Sequence, residues 1–369
     1  MMSAATPTPN TELLKKHLDR LRSSPNETLI LDGGTGEELF LRGVKDDRKI
    51  WSATAIVNEQ YHTIVEEVHK SFIAAGSQAI TTNSYGITPG VGFTDGNEVK
   101  RLVGISGEIA RRAANYGNAL VLGSLGPQVE SYRPDLIMQH DDGVKSFQFP
   151  IEGLHHYVDI YIAETMSISE EAYQVIDALS TFYQSHDQKE ELPQQPLLVS
   201  FTLRSDGKIR SGESVTEIIP KLIRYAHEKQ VELIGVLFNC CEPEAITQAL
   251  QEIQSCGDMH RYLHHPVQGQ IEEREKESLF PKILLGAYAN RLTPVEEEWT
   301  LESSEEAQAM REDLTPNEYW QDFVHHWHGN DGDKDSSCIK GGISLIGGCC
   351  GMGPSYISLL KKKLHNQQC

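Results

Sequence analysis

The sequence predicts an α/β protein folded as a single (β/α)8 TIM barrel with loop insertions. Three observations lead there. Eight short apolar runs rich in β-branched residues recur at fairly regular intervals, and amphipathic helical patterns fill the gaps between them. Most of the runs are apolar nearly throughout, as strands covered on both faces are. Strands that alternate with helices pair in parallel, because a parallel neighbour can be reached only by a long crossover.

In chain order, residues 1–10 are a polar, flexible tail and residues 11–369 read as one domain, which opens with an amphipathic helix over Thr11–Leu21. The strand candidates are Thr28–Gly34, Ala79–Tyr85, Ala119–Gly126, Tyr157–Thr165, Pro196–Leu203, Leu233–Cys241, Lys282–Asn290 and Ile343–Cys350. Helical patterns between them include Glu59–Ala75, Glu98–Tyr116, Glu170–Tyr183, Ser214–Gln230 and Glu244–Ser255. An open doubly wound sheet is the competing architecture, but it would often carry a phosphate-binding loop. Here the Gly33-Gly34-Thr35-Gly36 turn runs into Glu37-Glu38-Leu39, without the later glycine or the lysine that such loops use. Asp258–Glu277, Glu296–Asp313 and Gly329–Ser337 read as polar surface insertions.

The 369 residues are 39% hydrophobic and 23% charged, which is the balance of a folded, water-soluble protein. A net charge of -20 argues against nucleic acid or an anionic membrane as partner, since both need clustered Lys and Arg. Small molecules are the expected ligands. No apolar stretch reaches the roughly 20 residues of a membrane span, and the opening MMSAATPTPN lacks the pattern of a secretory signal, so a cytoplasmic location is expected. Seven clustered cysteines fit reduced thiols and metal binding better than a disulfide framework. No apolar stripe outside the strands marks a subunit interface.

Asp32, Glu164, Cys240, Asn290 and Cys349 all fall at the C-terminal ends of strand candidates, which is the active-site face of a barrel. Cys349 and Cys350 are neighbours, so both reach one metal only where the chain leaves strand geometry, and Gly347, Gly348 and Gly351 permit that. With Cys240 or the adjacent Cys241 they make three thiolates, a set that suits zinc by softness and charge. Three protein ligands leave a fourth position open, as in catalytic zinc sites, and an incoming thiol there is held as thiolate. Free cysteines are often just small buried hydrophobes. Three at strand ends beside glycines count against that. Tyr85, Tyr288 and Asn290 also end strands, as substrate contacts or as packing and turn residues. His69, His260, His264, His265, His325, His326 and His328 lie away from strand ends and are left out of the site.

Several segments, in order, resemble the homocysteine S-methyltransferase family: Leu31-Asp32-Gly33-Gly34-Thr35-Gly36, Thr81-Thr82-Asn83-Ser84-Tyr85, Gly123-Ser124-Leu125-Gly126-Pro127, Glu164-Thr165, Phe238-Asn239-Cys240, Tyr288-Ala289-Asn290 and Ile346-Gly347-Gly348-Cys349-Cys350-Gly351. The Asn-Cys and Gly-Gly-Cys-Cys elements are specific in combination. The resemblance implies a zinc-dependent (β/α)8 barrel that methylates homocysteine to methionine, with Cys240, Cys349 and Cys350 as ligands and Cys241 as bystander. It also implies that Glu164 pairs with the homocysteine ammonium, while Asp32 and backbone N–H groups near Gly33 and Gly34 fix the rest. Those groups suit the task, as strand-end carboxylates bind ammonium and exposed turn N–H groups bind carboxylate. Capping of the next helix is the other role open to Asp32, and surface pairing the other open to Glu164.

Relatives of this single-domain size imply S-methylmethionine or S-adenosylmethionine, small onium compounds, as methyl donor. Betaine is the lesser option, because betaine-using relatives carry an aromatic residue where this chain has Thr165. A different class of protein also fits the cysteines: a catalytically silent zinc barrel whose mouth is filled by a protein partner. A fourth protein ligand from Cys241, Cys338 or a histidine would mark it.

Overall fold

A computed structural model describes residues 8–45, 47, 50–186, 193–265, 280–294, 308–328 and 342–367. Eight parallel strands form the sheet: β1 (Leu29–Ile30), β2 (Ala79–Thr81), β3 (Leu120–Leu125), β4 (Ile160–Met166), β5 (Leu197–Phe201), β6 (Leu233–Asn239), β7 (Leu284–Tyr288) and β8 (Leu345–Ile346). Each pairs with its sequence neighbour from β2 to β8, and β1 pairs with β8, which is the (β/α)8 order. The remaining seam, between β1 and β2, is narrow. The N–H of Gln78 donates to the Ile30 carbonyl at 2.7 Å and its side chain accepts from the Ile30 N–H at 3.1 Å. At the other end of that seam the Asp32 carboxylate accepts from the Thr81 N–H at 2.8 Å and from its hydroxyl at 3.0 Å.

Alternation along each strand divides the core in two. Leu120, Leu122, Ile160, Ile162, Leu198 and Leu284 pack inside the barrel, whereas Val121, Tyr161, Leu197 and Val199 face the helices. Both sets are apolar because both faces are covered, and this is why the strands read as continuous apolar runs. The N-terminal helix α1 (Thr11–Ser23) closes the bottom. Leu18 and Leu21 join the interior cluster, and Asn10 caps the helix by accepting from the Leu13 N–H at 3.0 Å. Asp159 fastens this end, holding the Asn10 N–H at 2.5 Å and the Val121 N–H at 2.7 Å while pairing with the buried Arg111 guanidinium at 2.7 Å.

The outer layer comprises α2 (Thr35–Leu41), α3 (His62–Ala75), α4 (Gly96–Gly117), α5 (His140–Leu154), α6 (Ser169–His186), α7 (Val215–Glu228), α8 (Pro243–Ser255) and α9 (Pro354–Gln367), with a further helical stretch over 316–328. The strands are shorter than the apolar runs, since the runs continue into loops whose backbone is bonded elsewhere. After β1 the Asp32 carbonyl accepts from the Gly348 N–H at 3.0 Å and the Gly34 N–H donates to the Met352 carbonyl at 2.9 Å. Of the expected insertions, Asp258–Glu277 begins as a 3-10 turn at Gly257–Arg261, and residues 266–279, 295–307 and 329–341 lie outside the described residues. No described helix is long and apolar enough to cross a membrane.

Candidate metal centre and its mouth

Three sulfur atoms meet at the C-terminal end of the barrel. Cys240 follows the last residue of β6 and takes a left-handed backbone, φ +51°, which turns its side chain off the strand's alternation. On β8 the ladder ends at Ile346; the Met352 N–H then returns to the Cys349 carbonyl at 3.0 Å, closing a turn over Cys350 and Gly351. Gly351 sits at φ +78°, which an L side chain adopts only with strain, and this turn lets adjacent cysteines point the same way. Gly34 makes the turn possible from the other side. A Cβ there would lie 2.8 Å from the Cys349 carbonyl oxygen.

The Cys240 and Cys350 sulfurs are 3.7 Å apart, those of Cys349 and Cys350 4.0 Å, and all three lie within 4.8 Å of one another. Thiolates on a tetrahedral zinc, at bonds of about 2.3 Å, stand about 3.8 Å apart. The residues present therefore fit a metal ion of that size and preference. Hydrogen bonds from the thiols of Cys349 and Cys350, with Tyr132 and Asn290 adding to them, hold the Cys240 thiol well below the ordinary thiol range despite burial. Cys241 belongs instead to the core between sheet and helices, where burial pushes its thiol well up. Among the described residues no fourth cysteine, histidine or carboxylate joins the group, and Cys338 lies outside them. His265 and His328 sit at the far end of the barrel, against the Leu21 carbonyl and the Thr28 hydroxyl.

Two buried carboxyls face this cluster. Glu164, on β4, accepts from the Ser124 hydroxyl and, at 3.2 Å, from the Tyr288 hydroxyl; it does not pair on the surface. Burial, only partly offset by these two bonds, pushes it up to about 7. Asp32 does not cap α2, whose first turn has no side-chain cap. Its two oxygens are held by Thr81, and burial raises it too, to about 7, against those hydrogen bonds and with a small push from Glu164. Gly34 spends its N–H on Met352. Gly33 packs against the Met352 carbonyl, so this turn is wedged under the cysteine loop. Asn290 is buried with its side-chain oxygen on the Leu292 N–H at 3.3 Å. The Tyr85 hydroxyl contacts the Ser131 hydroxyl at 2.7 Å, and its ring meets Trp51 edge-on at 6.3 Å between centroids.

Further residues take part that the sequence reading passes over. Tyr132, on the loop after β3, brings its hydroxyl to 2.9 Å from the Cys240 sulfur. Trp51 packs against the same cluster as Cys240 and Cys350. Glu37, on α2, is a largely buried carboxyl beside Gly351, pushed up to about 7 by burial. Asn239 uses its amide fully: its oxygen accepts from the Thr165 N–H at 3.0 Å and the Ser200 hydroxyl at 2.7 Å, and its nitrogen donates to the Thr165 hydroxyl at 2.9 Å. That clamp holds Thr165 in a left-handed conformation, φ +63°, costly for a β-branched residue.

Residues 29–364 match the homocysteine S-methyltransferase family. The homocysteine S-methyltransferase of Escherichia coli (strain K12) is 25% identical over 357 residues, covering 91% of this chain and 95% of the relative. Homocysteine S-methyltransferase 2 of Arabidopsis thaliana is 22% identical over 92% of this chain and 93% of its own length. The crystal structure of the Escherichia coli homocysteine methyltransferase MmuM in metallated form shares the fold, with a TM-score of 0.65 at 22% identity over 95% of this chain and 99% of that one. With a match spanning nearly the whole barrel, the chain belongs to the homocysteine S-methyltransferase family and is an enzyme of methyl transfer to a thiol.

Proposed function

We propose that the mouth holds homocysteine with its sulfur at a zinc ion bound by Cys240, Cys349 and Cys350, and methylates it from S-methylmethionine or S-adenosylmethionine. The observation that carries this reading is the three-sulfur cluster, within 4.8 Å, set beside a buried carboxyl at Glu164. When bound, zinc supplies Lewis acidity that keeps a substrate thiol deprotonated at neutral pH.

The chain's own residues position and shelter. Glu164, fixed by Ser124 and Tyr288, takes the homocysteine ammonium; Asp32, fixed by Thr81, adds a second acceptor. Backbone N–H groups at the Gly33–Gly34 turn, apart from the Gly34 N–H already used, face the carboxylate. Asn290 and Tyr288 close the floor. In the transfer, the substrate sulfur forms a bond to the methyl carbon, the donor's S–CH3 bond breaks, and its electron pair stays on the departing neutral sulfide. No residue has to take a proton at that moment. Alignment and exclusion of water are the barrel's tasks. The edge-to-face pair of Trp51 and Tyr85 offers π faces to the donor cation.

Sulfonium donors are favoured over betaine by Thr165, which stands beside Glu164 where betaine-using relatives carry an aromatic residue. The test incubates the zinc-loaded protein and homocysteine with S-methylmethionine, S-adenosylmethionine or betaine separately and measures methionine. Methionine from either sulfonium donor is expected, and none from any donor sinks the proposal.

A further inference from the structure

If the donor is an onium compound, as proposed above, it arrives beside sulfur atoms of two kinds. One belongs to the substrate and three belong to the chain. Transfer to a cysteine would break the donor's S–CH3 bond and form a cysteine S–CH3 thioether, with neutral sulfide leaving and no other reactant required. The enzyme would then be dead. All three cysteines pack in the cluster that Trp51 joins, where a cation would dock, and Cys240 is the one with a tyrosine hydroxyl against its sulfur.

We propose that Tyr132 keeps Cys240 out of the reaction by donating a hydrogen bond from its hydroxyl to the Cys240 sulfur. Their separation of 2.9 Å and the burial of both residues leave no room for water between them. The arrangement is also enforced. Tyr132 adopts a left-handed backbone, φ +65°, unusual for an aromatic residue, and Arg210 holds it there. The Arg210 Nε donates to the Tyr132 carbonyl at 3.3 Å, and its guanidinium lies over the ring, 5.7 Å from the centroid. A hydrogen bond to a thiolate draws on the lone pair that would attack. Among the described residues, the side chains of Cys349 and Cys350 hydrogen-bond to cysteine sulfur. The Tyr132 hydroxyl therefore protects Cys240 and not its two partners, and Tyr132 acts through that sulfur.

The experiment compares wild type with Tyr132→Phe, both zinc-loaded and without homocysteine. Each is exposed to S-methylmethionine and, separately, to limiting iodomethane, then digested and read by mass spectrometry. Cys240 in Tyr132→Phe should gain one methyl group roughly tenfold faster than in wild type, the factor one hydrogen bond to a charged group is worth. Cys349 and Cys350 should show no such difference. Equal methylation of Cys240 in the two proteins in the iodomethane arm overturns the inference. That arm needs no onium chemistry, so a wild type that makes no methionine would refute the donor reading while leaving Tyr132 judged on its own. Should Tyr132→Phe lose zinc, Arg210→Gln, which loosens Tyr132 from its loop, goes through the same reaction. A rise at Cys240 supports the proposal, and its absence refutes it.

Discussion

Glu164→Gln separates what this carboxyl does for binding from what its burial costs the fold. The carboxyl is raised from 4.5 to about 7, chiefly by burial. At roughly 1.4 kcal/mol per pH unit, that rise amounts to about 3 kcal/mol. The native state holds the proton more tightly than the unfolded chain does. The stability linked to this group is thus complete below about pH 4.5 and lost as pH climbs through 7. Gln keeps an acceptor for Ser124 and can still meet the Tyr288 hydroxyl, yet has no proton to lose. In protein stripped of metal by a chelator, Glu164→Gln should equal wild type near pH 4.5 and exceed it by up to about 3 kcal/mol at pH 8. Urea unfolding at both pH values, with matched slopes, reads the difference.

Binding should move the other way. In the proposed complex the ionised carboxylate pairs with the homocysteine ammonium, a bond of about 1.5–3 kcal/mol, so the variant should bind homocysteine some ten- to a hundred-fold more weakly at pH 8 by titration calorimetry. Wild-type affinity should itself rise with pH up to about 7, as the carboxyl ionises. A variant no more stable than wild type at pH 8 would refute burial as the cause of the raised carboxyl. Unchanged homocysteine affinity would remove Glu164 from the ammonium site.

Cys349→Ala should abolish bound metal and methionine formation together, and a full metal complement by atomic absorption would show that the ligands are misassigned. Cys241→Ala should keep its metal, because that thiol is packed in the outer core; loss of metal at normal stability would reverse the choice between Cys240 and Cys241. Gly34→Ala drives a Cβ to 2.8 Å from the Cys349 carbonyl and should cost about 1–3 kcal/mol and weaken metal retention in a chelator competition; unchanged retention refutes the wedge. Arg111→Met leaves Asp159 buried without its charge partner and should cost about 3–5 kcal/mol, seen as a lowered Tm, with the double variant that adds Asp159→Asn recovering part of it. A double variant no more stable than the single one would assign the loss to packing.

The eight strands are legible in the sequence because burial on both faces leaves a continuous apolar signal, and the site is legible as far as it consists of residues at the ends of those runs. The helix α5 is harder to read, with Gly143, Pro150 and Gly153 inside it. The residues that hold the site in shape leave no linear signal at all. Ser124 is one polar residue in an apolar run, and its value comes from Glu164 being 40 positions away on the next strand. Tyr132 stands in a loop, where no periodicity says which way a ring points, and its partners Cys240 and Arg210 are brought to it only by closure of the barrel.

The choice between Cys240 and Cys241 shows why the end of a strand resists reading from spacing. Along β6, Leu237 points into the barrel and Phe238 points out toward the helices. Asn239 points in again, to Thr165 and Ser200. Strict alternation would send Cys240 outward and Cys241 to the mouth. The left-handed turn at Cys240 breaks that parity, bringing its sulfur to the cluster and sending Cys241 to the outer core. Cysteine has no intrinsic preference for this conformation, unlike Gly or Asn. The neighbouring Thr165, also left-handed, has no such preference either, and both are tied to Asn239, one by the chain and the other by two hydrogen bonds, with a third from Ser200 steadying the amide. The Asn-Cys pair therefore encodes the geometry of the sulfur cluster through its asparagine, which fixes where the strand ends so that the next residue turns inward.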